Sequence, residues 1–235
     1  MNPKRRSDLH RYLILDLKWK KFLRIARWFR FAPFLKFVLA NGSMVLNVAN
    51  ENSDFDVLVA VENGRIFTVR YILNFIFSVL KARRLDDIKG SSPDKLCFNH
   101  FITAPTYKRR GLNEYGAELY RNLVPLYGNE KDIREFFEAN REYGINPHTL
   151  SRGVREGVGI NPELNLLDLR FRESQPNIFA MILEWILGGR RGDFVEKKIA
   201  EPIARRRLAK YLGQKIKKEK VIVSEDELEF HFELQ

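Results

Sequence analysis

Residues 42–59 read Gly-Ser-Met-Val-Leu-Asn-Val-Ala-Asn-Glu-Asn-Ser-Asp-Phe-Asp-Val-Leu-Val, and the fold follows from how this stretch is read. A Gly-Ser pair, Gly42-Ser43, closes one hydrophobic run, and Asp54 and Asp56 open another. In an extended strand, residues two apart project from the same face. Both carboxylates therefore emerge together, and Phe55 turns the other way into a core. Adjacent carboxylates repel each other unless a cation lies between them. Hard divalent cations take oxygen ligands and share them with substrate phosphates. A metal-phosphate site is the expectation.

Working outward, Phe34–Ala40 is an apolar strand feeding the Gly-Ser turn, and Ser43 is placed to cap one or two helical turns over Met44–Asn50. Asp56–Val61 is rich in β-branched residues and reads as a buried strand. After the Glu62-Asn63-Gly64 turn, apolar positions recur at helical spacing through Arg65–Arg84, and Lys95–Thr103 forms a further strand. Strand, helix and strand in this order predict an α/β unit with a sheet backed by helices. Ahead of it, Asp8–Arg30 is a basic amphipathic helical stretch ended by Pro33. Beyond Pro105, Leu112–Leu123, Lys131–Tyr143, Gln175–Leu187 and Phe194–Lys218 read as helices. Gly144–Pro162 reads as an irregular connector, and Lys220–Leu234 shows strand-like alternation. The fold class expected is α+β or α/β: a small mixed sheet backed by helices, with a mostly helical C-terminal extension. The corresponding parts are a basic extension over 1–33, a core over 34–128 and a C-terminal region over 129–235.

With 235 residues, 45% of them hydrophobic and 30% charged, the chain can bury a sizeable core. A net charge of +11 favours a polyanionic partner or a set of solvated basic helix faces. Its densest basic patch, Arg205-Arg206-Arg207 with Lys210, Lys215, Lys217, Lys218 and Lys220, fits either reading. The single cysteine, Cys97, forms no internal disulfide and reads as a buried filler, so a reducing, cytoplasmic setting is expected. No apolar run is long enough to span a bilayer, and no secretory core segment follows the basic start. The four histidines lack zinc-ligand spacing, and Gly188-Gly189-Arg190-Arg191-Gly192 lacks the Lys-Ser/Thr ending of a phosphate loop.

The Gly-Ser turn, a spacer of about ten residues and the Asp-Phe-Asp-Val-Leu-Val strand resemble the signature of the DNA polymerase β-type nucleotidyltransferase superfamily. The flanking strands and the long helix agree, and the resemblance covers about residues 34–105. It implies a Mg²⁺- or Mn²⁺-dependent enzyme that moves a nucleoside monophosphate from a nucleoside triphosphate to a hydroxyl acceptor. That acceptor could be a small molecule, a protein side chain or an RNA end. Gly42 and Ser43 would grip the triphosphate, and Asp54 and Asp56 would hold the metal. Relatives carry a third acid on the later strand, and the position expected to be acidic here is Asn99. His100 is then expected on the opposite, structural face, with Asp94 a lesser candidate for the acid. The absent acid motivates an alternative: a protein that binds nucleotide or nucleic acid with little turnover.

Overall fold

A computed structural model describes residues 3–84, 92–144, 174–212 and 217–233. Most of the expected connector after Gly144 lies outside the described residues. One six-stranded open sheet organises the chain in the order β4-β1-β2-β3-β6-β5. The strands are β1 (Leu35–Asn41), β2 (Phe55–Val61), β3 (Leu96–Ile102), β4 (Val124–Gly128), β5 (Lys217–Val223) and β6 (Glu227–Glu233). Only β2 and β3 pair in parallel, because α2 (Ile66–Val79) carries the chain between them; the other four pairings are antiparallel. The class is therefore mixed α+β, a small sheet backed by helices.

Alternation along β2 separates two apolar layers. Phe55, Val57, Val59 and Val61 face α1 (Pro3–Ala26) and α2, where Trp19, Phe22, Leu73 and Phe77 are fully buried. Phe22 stacks on Phe55 with centroids 4.5 Å apart. Leu58 and Ala60 face the other way and join Phe37, Leu39 and Ile102 under Tyr120 of α3 (Glu114–Arg121) and Ile133, Phe136 and Phe137 of α4 (Glu130–Ala139). Each such buried side chain contributes about 1.5–3 kcal/mol. The even residues of β2, Asp56 included, thus belong to the α4 side of the sheet, and Asp54 directly precedes the strand.

Two elements differ from the sequence expectation. The helix expected over Arg65–Arg84 stops at Val79, and Lys81 adopts φ +52°. The chain after it runs back alongside β3, with the Arg84 N–H donating to the Leu96 carbonyl at 3.0 Å. The helix expected over Phe194–Lys218 is broken up into α6 (Gly189–Val195), a π-helical turn (Glu196–Ala200) and α7 (Glu201–Leu212), and β5 starts at Lys217. Lys217 and Lys218 are poor strand formers, and pairing with β6 overrides their preference. Because β6 pairs with β3, the sheet crosses the boundary drawn at residue 128. The π-helical turn aims Glu196 at the start of α2, where it accepts the Phe67 and Thr68 N–H groups, both at 2.8 Å. Arg65 offers that helix no side-chain cap, so Glu196 satisfies its orphan donors from 129 residues away.

Candidate functional site

The site lies where β1 ends and β2 and β3 begin. Asn41 pairs with Asp56, so the next residue, Gly42, turns directly over the Asp56 side chain. Gly42 has φ +71°, and a Cβ placed on it would lie 2.2 Å from Asp56 Oδ2. Only glycine permits both this conformation and this approach. The spacer from Ser43 to Ser53 therefore loops out and returns the chain with Asp54 and Asp56 beside the turn.

Ser43 does not open the helix expected over Met44–Asn50. Gly42–Met44 is a single 3₁₀ turn, and Asn47 at φ +57° ends the winding. A turn this short carries no appreciable helix dipole. Any grip on an anion comes from the local backbone and the Ser43 hydroxyl.

Asp54 and Asp56 offer oxygens within 4.8 Å of each other, and the side chain that completes this group is Cys97, through Sγ. The residue of β3 opposite Asp56 is Cys97 rather than the expected Asn99, and a bulge follows it. Asp56 is opposite Cys97 and Leu58 opposite His100, so three residues of β3 span two of β2. Cys97 shares the face of Asp56, and the extra residue beyond it resets the alternation, bringing His100 to that face as well. His100 is accordingly not on the opposite face. Asp94 also departs from its expected part: it takes ion pairs from Lys18 at 2.8 Å and Lys21 at 2.6 Å. Burial raises its pKa, but bonds from the two lysines outweigh this and hold the carboxyl below its ordinary range. Lys18 also donates to the Ser53 carbonyl at 2.8 Å, clamping α1 against the approach to the acidic strand.

Arg84 was not foreseen. Its Nη1 donates to Asp54 Oδ2 at 2.7 Å, both side chains about one-fifth exposed. The early end of α2 delivers it there. A cation held by Asp54 has to compete with this guanidinium. The donor chemistry otherwise fits: two carboxylates supply hard oxygens for Mg²⁺ or Mn²⁺, whereas the Cys97 thiol is a soft group that suits neither.

Further along the same face lies a second polar group. Arg109 binds both Glu227 and Glu229, the latter at 3.0 Å, and His100 Nε2 is 3.4 Å from Glu227. Burial lowers the His100 pKa, and the neighbouring glutamates only partly offset it. Burial pushes Glu227 up, but bonds from His100 and Arg109 hold it below its ordinary value. Tyr120 is shifted upward, chiefly by burial. Arg109 therefore neutralises two buried acids that join the loop after β3 to β6.

Comparison with protein-family models, curated proteins and solved structures gives no match. Among the described residues, no helix is long and apolar enough to cross a membrane.

Proposed function

We propose that the protein is a metal-dependent nucleotidyltransferase of the polymerase β type, acting at the junction of β1, β2 and β3. The observation that carries the reading is the direct approach of the Gly42 turn to Asp56, with Asp54 within 4.8 Å of it. Asp54 and Asp56 would hold Mg²⁺ or Mn²⁺, and the ion would neutralise charge on the triphosphate. The Gly42 backbone and the Ser43 hydroxyl would bond the outer phosphates. In the transfer, the acceptor oxygen forms a bond to the α-phosphorus. The bond to the bridging oxygen breaks, and pyrophosphate departs with the electron pair. The hydroxyl proton is released to water.

The test is transfer of label from α-labelled nucleoside triphosphates in Mg²⁺ or Mn²⁺ to RNA ends and small hydroxyl acceptors. Asp54→Ala and Asp56→Ala each remove several kcal/mol of charge stabilisation, so transfer falls roughly a thousandfold. Activity retained in both variants refutes the mechanism.

A second reading rests on two observations: Cys97 is where a third acid would complete the cage, and Arg84 is bound to Asp54. It is a protein that binds a nucleotide or nucleic acid without efficient turnover. It predicts a triphosphate-dependent rise in Tm with no label transfer, and Cys97→Asp then increases transfer.

A further inference from the structure

Helix α5 (Ile178–Ile186) is capped by Asn177, whose side chain accepts the Phe179 N–H at 2.9 Å. Its inner side, with buried Ala180 and half-buried Leu183 and Leu187, rests on the protein. Its outer side presents Ile178, Phe179, Met181, Ile182, Trp185 and Ile186, from 41% to 81% exposed. Single exposed apolar residues are ordinary, but six on one short helix form a patch that calls for a partner. Among the described residues nothing covers it.

The surrounding charge identifies that partner's chemistry. Residues 174–206 contain four acids, and each is engaged within the protein. Glu184 accepts the Phe34 N–H at 2.7 Å, and Glu196 accepts the Phe67 and Thr68 N–H groups. Asp193 pairs with Arg65 at 2.7 Å, and Glu201 pairs with Arg205 at 2.6 Å. Arg190, Arg191, Lys197, Lys198 and Arg206 are exposed in the same stretch, with the exposed apolar Phe194 and Ile199 among them. The exposed charge left in the stretch that follows the apolar helix face is therefore cationic.

We propose that this surface docks the protein on an anionic phospholipid bilayer, with α5 lying in the interface and the basic residues on the headgroups. Apolar insertion and a basic rim together are the two signals that stable peripheral attachment requires. The patch is mostly aliphatic, whereas single-stranded nucleic acid stacks its bases on aromatic platforms. A second copy meeting it face to face would set cation against cation. The inference is independent of the nucleotidyltransferase reading.

The experiment floats the full chain with vesicles of phosphatidylcholine alone or with about one-third phosphatidylglycerol, at low and high salt. The expected result is association with anionic vesicles that weakens as salt rises, with a blue shift of tryptophan emission. Trp185→Phe keeps association and loses the larger part of the shift, since Trp185 is 81% exposed, Trp28 is 42% exposed and Trp19 is buried. The triple variant Met181→Ser/Ile182→Ser/Trp185→Ser, checked by circular dichroism, associates at least tenfold more weakly. Each of Arg190→Gln and Arg191→Gln lowers association about fivefold on anionic vesicles alone. Failure of the wild type to float overturns the proposal, as does equal association with neutral vesicles. Undiminished association of the folded triple variant overturns it too. So does a chain that ignores vesicles but dimerises, or binds an RNA oligonucleotide, through Trp185.

Discussion

Gly42→Ala isolates the geometry on which the site depends. The added methyl would lie 2.2 Å from Asp56 Oδ2, and no real Cβ comes closer than about 3 Å to such an atom. The carboxylate must retreat by about 1 Å, and the backbone must also hold a non-glycine residue at φ +71°. That conformation costs about 1–2 kcal/mol, or a Tm loss of about 2–8 °C for a chain of this size. Misplacing a reacting group by about 1 Å costs on the order of a hundredfold in rate. Gly64 supplies the control: φ is +72°, but nothing lies within 4 Å of its would-be Cβ. Gly64→Ala should therefore lower Tm by a similar amount and leave the site untouched. The assay pairs thermal melts with Mn²⁺ binding and label transfer for both variants. A hundredfold loss confined to Gly42→Ala is expected. Equal Mn²⁺ binding and transfer in the two variants would refute the claim that Gly42 positions Asp56 for chemistry.

Three further outcomes follow from named contacts. Arg84→Ala removes the guanidinium that competes for Asp54, so Mn²⁺ affinity measured by calorimetry should rise about fivefold, the equivalent of an ion pair worth roughly 1 kcal/mol; a fall would mean Arg84 assists the site. Arg109→Met strands Glu227 and Glu229 without their counter-charge and should cost about 3–5 kcal/mol in urea melts, with much of the loss recovered by adding Glu227→Gln and Glu229→Gln. Acidification should destabilise the protein in two steps. Burial holds His100 below its ordinary pKa, so the unfolded chain takes up a proton first and stability falls as pH drops below about 6.5. Glu227 is held low, so its contribution is present above the ordinary glutamate range and is lost as pH falls through its folded-state value. His100→Gln should flatten the step between pH 7.5 and 5.5 in urea melts and leave the acid step in place; an unchanged upper step would exclude His100 as its source.

Composition and punctuation alone were enough to place the strands around the Gly-Ser turn, since β2 is a short run rich in β-branched residues and its flanks carry turn residues. The same local rules placed the Gly42-Ser43 turn beside the start of β2, where Asp54 and Asp56 lie. Where distant segments compete, local rules failed. Ser43 caps no helix: it sits inside a 3₁₀ turn over Gly42–Met44, and Asn47 takes a left-handed conformation just beyond. Lys217 and Lys218 become strand because β6 offers them a ladder.

The surroundings of the two acids came from tertiary structure. Register leaves no mark in the residues of β3, yet it sets Cys97 rather than Asn99 opposite Asp56, and one extra residue beyond Cys97 turns His100 to the same face. Arg84 reaches Asp54 because α2 ends five residues short of it. The acids of 174–206 read as ordinary solvated charge until their partners just ahead of β1, around the start of α2 and on their own helix are in place. Pattern along a chain reports which face a residue prefers. Which charge meets which depends on register and on where helices stop, and both are decided by packing between segments far apart in sequence.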